Sequence, residues 1–313
     1  MSSQDRLAVL SLGLTIAACS PSPPLQIPAV RYNRIGDYHI LENISATERS
    51  SLEELLLKKP SGPSLDEEGI IELEISEAHF PEILYHVHQE SGKLVLRSMG
   101  SSFLLNAEGY FLTAHHVFKD SLKDREQGAD DCFMLLYDPI EGFAASARPL
   151  IFSIKDDILL GKIDVVKSRE TIPLSDSPQP LQDLVYSVTY SNTSYLAGEL
   201  FSKVEKSGSV NADQYFQQLH PIQVEKSIFK SELSMGHLVE VLDEAGKKRN
   251  NLGVSSFIAS IIPGNSGSPV FDLRNSQIGV VTSIYEKSDP PVAIYTNSSR
   301  LRPMIEAYLG HAR

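Results

Sequence analysis

The feature that most constrains this chain is a ladder of short apolar runs broken by turn residues. They read Ile70 to Ile75, Leu84 to Val87, Leu94 to Met99, Cys132 to Tyr137, Ala145 to Ile154 and Leu184 to Tyr190. Leu252 to Ile262, Ser268 to Phe271, Gln277 to Tyr285 and Val292 to Tyr295 continue the series. Such runs are too short for ordinary helices, and their β-branched and aromatic content suits strands; short strands at this spacing suit a barrel. Gly100 to Tyr110 reads as strand, tight turn, strand, leading into Phe111-Leu112-Thr113-Ala114-His115-His116-Val117. Residues 119–130 are charged and read mostly as loop. Residues 191–251 are polar with scattered apolar pairs and read as hairpins plus an insertion. The chain closes with a helix over Arg300 to Leu309, whose Leu301, Met304, Ile305 and Leu309 share a face.

One loop in this ladder carries chemistry. In Pro263-Gly264-Asn265-Ser266-Gly267-Ser268-Pro269-Val270-Phe271-Asp272 a serine lies between two glycines, directly before an apolar run. A serine hydroxyl is a weak nucleophile unless a base takes its proton and donors receive the oxyanion. Gly264 and Gly267 permit a sharp turn that can aim the Gly264 and Ser266 N–H groups into one small space, an oxyanion hole. The plain alternative is a Gly/Ser/Pro turn between strands. Upstream stand the other parts: a histidine pair at the end of an apolar strand, and Asp156-Asp157-Ile158-Leu159-Leu160 opening another. The order His, Asp, Ser belongs to the chymotrypsin arrangement.

Gly-Ser-Ser-Phe at 100–103, Leu-Thr-Ala-His-His-Val at 112–117, Asp-Ile-Leu-Leu at 157–160 and Gly-Asn-Ser-Gly-Ser-Pro-Val at 264–270 together resemble a bacterial trypsin/chymotrypsin-like serine peptidase. The resemblance covers roughly residues 90–310, with features similar to both Deg/HtrA protease domains and staphylococcal glutamyl endopeptidases. It implies an all-β fold of two packed antiparallel six-stranded barrels with a C-terminal helix. It implies a triad of His116, Asp157 and Ser266, with Asp164 as a rival acid and Asp156 as a third candidate. The family wording Thr-Ala-x-His-Val selects His116, leaving His115 as a buried neutral histidine. By the same resemblance the oxyanion hole is Gly264 and Ser266, and the substrate pocket lies near Ser260, Thr282, Ser283 and Ile284. No acid stands at Ser260, and glutamyl endopeptidases carry a histidine where Val281 falls. Ile284 stands where open pockets have glycine. Cleavage after small aliphatic residues is therefore expected.

The first 68 residues read differently. Leu7 to Ala18 is an apolar block of signal-peptide length, too short to span a bilayer. Ile16-Ala17-Ala18-Cys19 resembles a bacterial lipobox, which implies cleavage before Cys19 and lipid on its sulfur. Ser20 then makes the outer membrane the default in a Gram-negative cell. Residues 20–35 read as a Pro-rich tether, and 47–59 as a short helix capped by Ser50 or Ser51. The expected organisation is a signal peptide over 1–18, the lipidated cysteine and tether over 19–68, and the peptidase domain over 69–313 with an insertion at about 191–251. No C-terminal PDZ-type peptide-binding module is expected after the closing helix.

Net charge is −12, which disfavours nucleic-acid binding. Two cysteines, Cys19 and Cys132, give no disulfide framework, and with Cys19 in the targeting segment no cysteine-based metal site is expected. His86 and His88 share a strand face that could suit zinc. These two, with His39, His79, His220, His237 and His311, are read as surface or core histidines, so no metal and no cofactor is expected. The expected function is a lipid-anchored serine endopeptidase of the bacterial envelope acting on a polypeptide substrate, with oligomeric state open. Two alternatives stand beside it: a non-catalytic binding or adhesion lipoprotein on the same fold, and a peptidase dedicated to itself or one partner.

Overall fold

The computed structural model describes residues 31–41, 45–57, 75–126, 131–164, 171–172, 174–175, 183–206, 215–217, 220–225, 229–242, 248–256, 264–285 and 292–311. Cys19, Ser260, Pro263 and most of the strand expected at Ile70 to Ile75 lie outside these residues. So does the side chain of Ile284.

The strand ladder forms two β units. The first contains β3 (Glu82–Glu90), β4 (Lys93–Leu104), β5 (Tyr110–Thr113), β6 (Cys132–Asp138), β7 (Phe143–Ser153) and β8 (Ile158–Ile163). Antiparallel pairings run round this set in the order β3-β4-β5-β8-β7-β6 and return to β3. The second is a closed barrel of β11 (Ser231–Leu242), β12 (Lys248–Ser256), β15 (Val292–Asn297), β14 (Gln277–Tyr285), β13 (Pro269–Asp272) and β9 (Leu184–Tyr190). A two-residue strand, β10 (His220–Pro221), edges β7. Closure removes unpaired strand edges, which explains how so many short strands are stable together. The expected all-β, double-barrel class with a C-terminal helix is the observed one.

Four departures have physical causes. Residues 32–41, expected within or just after a tether, form a hairpin, β1 (Tyr32–Ile35) and β2 (Tyr38–Leu41), and β2 pairs with β7. The early helix α1 (Ala46–Leu57) is capped by Ser45. Glu48 N–H donates to Ser45 Oγ at 3.3 Å and Ser45 N–H to Glu48 Oε2 at 2.8 Å, a reciprocal Ser-x-x-Glu box that outcompetes Ser50 and Ser51.

Residues 119–126, expected as loop, belong to helix α2 (His115–Glu126), because Val117, Phe118, Ser121 and Leu122 recur on one buried face while Lys119 and Asp120 face water. Residues 193–206, within the span read as hairpins plus an insertion, form helix α3 (Thr193–Lys206). Its Leu196, Ala197, Leu200, Phe201 and Val204 pack on Ile83, Tyr85, Val87 and Phe133 of the first barrel.

The closing helix α4 (Leu301–His311) buries Leu301, Met304 and Ile305 in a core shared with Leu112, Ile158, Tyr186 and Phe271, residues of both barrels. Among the described residues no helix is long and apolar enough to cross a membrane.

Candidate active site

Asp157 organises one side of the site. It ends the tight turn between β7 and β8 with φ +51°, a conformation that aspartate tolerates better than most residues. Its two carboxylate oxygens reach one residue. Oδ1 accepts the His116 backbone N–H at 2.9 Å, and Oδ2 pairs with His116 Nδ1 at 2.8 Å. The first contact satisfies an N–H that the opening turn of α2 leaves without an intrahelical partner. The second orients the imidazole: with Nδ1–H donated to the carboxylate, Nε2 carries the lone pair. The His116 side chain is 41% exposed, open to an approaching substrate.

The competing acids are engaged elsewhere. Asp164 lies at 3.3 Å from Arg148, which also pairs with Glu48 of α1. Asp156 is buried and accepts the Ser153 hydroxyl at 3.0 Å.

His115 takes a different course from its neighbour. The pair, expected at the end of an apolar strand, follows β5 (Tyr110–Thr113) and opens α2. His115 is buried and stacks on Phe152 at 4.8 Å between ring centroids, while His39 stacks on the same phenylalanine at 4.8 Å. Burial, offset in part by the Asp157 charge, pushes its pKa from 6.5 down to about 4. The unfolded chain therefore binds the proton more tightly. This contribution to stability is complete above pH 6.5 and is lost as pH falls toward 4. His115→Phe keeps a ring against Phe152 and removes the titration. Urea unfolding at roughly pH 7.5 and roughly pH 5 should show the wild type losing about 2 kcal/mol more than the variant. An equal loss in both would contradict this origin.

The loop at 264–268 is fixed from the first barrel. Gly264 and Gly267 take φ +104° and +91°, bracketing half-buried Ser266. Ser268 N–H closes the turn on the Asn265 carbonyl at 3.0 Å. Ser101 holds the loop twice: its N–H donates to the Ser266 carbonyl at 2.7 Å, and its hydroxyl to the Gly264 carbonyl at 2.8 Å. Thr113, three residues before His116, donates its hydroxyl to the Ser101 carbonyl at 2.6 Å.

On the other side β14 flanks the loop, with Gly267 N–H donating to the Val281 carbonyl at 2.7 Å. Gly100 is the meeting point. A Cβ there would lie 2.6 Å from the Val117 methyls and 3.0 Å from the Ser266 carbonyl oxygen. The residue after His116 and the backbone of Ser266 thus converge on one glycine.

Of the expected pocket residues, Thr282 is buried with its hydroxyl donating to the Ile294 carbonyl at 3.3 Å, and Ser283 is exposed. The register of β14 against β15 shifts between Val281 and Ser283, so consecutive Val281 and Thr282 are both buried and Ser283 is the one exposed. Sequence reasoning quoted Ser101 and Thr113 inside motifs but gave them no role. It also missed that Thr193, opening α3, abuts the Gly264 Cα: a Cβ there would stand 2.8 Å from the Thr193 hydroxyl. The helical spacing of Leu196, Leu200 and Val204 was the available signal.

No curated protein matches the chain in a sequence comparison. A family profile, the trypsin-like peptidase domain, matches residues 100–280 and takes in the His116, Asp157 and Ser266 segments together. That match spans more than half of the sequence and agrees with the paired barrels, so the chain belongs to the trypsin-like peptidase domain family.

Proposed function

We propose that the protein is a serine endopeptidase in which Ser266 attacks the peptide carbonyl and His116 is the base. Family membership supports serine peptidase activity generally. The observation that carries the finer reading is the double hold of Asp157 on His116, next to a nucleophile loop clamped by Ser101. In this mechanism His116 Nε2 takes the Ser266 proton as Oγ bonds to the carbonyl carbon. The N–H groups of Gly264 and Ser266 receive the oxyanion. The tetrahedral intermediate collapses as imidazolium gives its proton to the leaving amine. Water then attacks the acyl-enzyme with His116 again as base, regenerating the serine and releasing the acid. Asp157 fixes the tautomer and stabilises the imidazolium throughout.

A peptide-library digest tests both activity and preference. Wild type should cut after small aliphatic residues, and Ser266→Ala should not cut. Dominant cleavage after Arg, Lys or Glu would overturn the preference, and equal cleavage by the variant would overturn the mechanism.

The resemblance of residues 16–19 to a lipobox supports attachment to a bacterial membrane through lipid on Cys19, at the outer membrane of a Gram-negative cell. Cys19→Ala should release the protein from the membrane fraction; unchanged fractionation would count against the anchor.

A further inference from the structure

Away from the nucleophile, α2 crosses the face formed by β3 and β6. His86 and His88 lie two apart on β3 and so share one side of the sheet. Cys132, the first residue of β6, is the register partner of His88. Asp124, near the end of α2, comes down on the same spot. Its Oδ2 is 3.0 Å from His88 Nε2 and 3.4 Å from His86 Nε2. The ligand atoms of His86, His88, Asp124 and Cys132 all lie within 4.8 Å of one another. Four donors around a tetrahedral zinc stand about 3.3–3.8 Å apart, so small side-chain rotations close this set on one ion.

We infer that His86, His88, Asp124 and Cys132 form a zinc site that fastens α2 to the β3–β6 face. Two imidazoles, a thiolate and a carboxylate are the donor types of tetrahedral zinc and are unsuited to calcium or magnesium, which take oxygen. The charges also balance. Thiolate and carboxylate together cancel Zn²⁺, so the loaded site is neutral where His86 and Cys132 are 1% and 3% exposed. On binding, the Cys132 thiol releases its proton to solvent and the imidazoles bind as neutral rings. His88 and Asp124, partly exposed, provide the entry.

Asp124 lies eight residues beyond His116 on the same helix, about 12 Å along its axis. The ion would therefore hold the helix that presents His116 without touching the reacting atoms. The cysteine count alone concealed this site, because its ligands come from three separate elements. The inference does not depend on the peptidase reading, since its readout is metal binding.

The full chain, freed of metal with a chelator and then titrated with zinc, should bind one equivalent. At about a hundredfold excess over Kd its Tm should rise by roughly 4–5 °C. Cobalt in place of zinc should give the strong visible bands of a tetrahedral ion and a near-ultraviolet thiolate-to-cobalt band. Cys132→Ser should lose the thiolate band, and His88→Gln and Asp124→Asn should lose the Tm rise. His116→Ala, a control for adventitious zinc at the catalytic histidine, should keep both signals. Absence of binding by folded wild type would overturn the site. So would equal binding and stabilisation in Cys132→Ser, His88→Gln and Asp124→Asn, or loss of the metal in His116→Ala alone.

Discussion

Asp157→Asn should fold like the wild type and lose about 10⁴-fold in kcat. Asparagine also tolerates the positive φ of this position, and its carbonyl oxygen can still accept the His116 backbone N–H that Oδ1 accepts now. The start of α2 is therefore kept. The change falls on the other atom. Where Oδ2 receives Nδ1–H, an amide NH₂ would face Nδ1 and favour the tautomer with the proton on Nε2. The base then points a proton, not a lone pair, at the serine. Steady-state kinetics together with thermal melts check this: turnover should collapse while Tm moves little. Retained turnover would remove Asp157 from the mechanism. Asp164→Asn, changing a residue engaged with Arg148, should leave kcat within about twofold.

Gly267→Ala should be strongly damaging. The added Cβ would overlap the Ser101 carbonyl oxygen and the Thr113 hydroxyl, with the Ser101 carbonyl carbon at 2.9 Å. Two of these atoms are backbone, so no rotamer change relieves the clash. The φ of +91° adds strain for any residue with a Cβ. Relief requires moving Ser101, which holds the loop through the carbonyls of both Gly264 and Ser266. The expected cost is about 3–5 kcal/mol, a large share of a typical folding free energy, with loss of activity even in the fraction that folds. Denaturant unfolding measures it. A variant within about 1 kcal/mol of wild type and fully active would show that the loop is not held as described.

The residues that made the site legible in sequence are those whose chemistry is local. Gly264 and Gly267 mark the turn because only a residue without Cβ fits there, and β9 emerged at Leu184–Tyr190 because apolar content and flanking turns agree over that span. Asp157 was favoured over Asp164 and Asp156 only by the wording before Ile158-Leu159-Leu160, and its contact with His116 depends on the backbone turn at 154–157. The helices were harder. The charges of 119–126 mask a narrow apolar stripe of Val117, Phe118 and Leu122, which gains its meaning only against Leu84, Met134 and Leu136. The His86-x-His88 spacing was visible as a pair that could suit zinc, but Ser101, Asp124 and Cys132 were illegible for a deeper reason. Their partners are set by strand register and helix crossing, such as His88 opposite Cys132, which no local spacing encodes.

Labelling with a fluorophosphonate probe tests the central claim most directly, because the reagent reacts with a serine made nucleophilic by its surroundings and requires no knowledge of the substrate. Purified wild type should be labelled, peptide mapping should place the adduct on Ser266, and Ser266→Ala and His116→Ala should both be blank. Well-folded wild type that takes no label, or label that persists in Ser266→Ala, would contradict an activated Ser266.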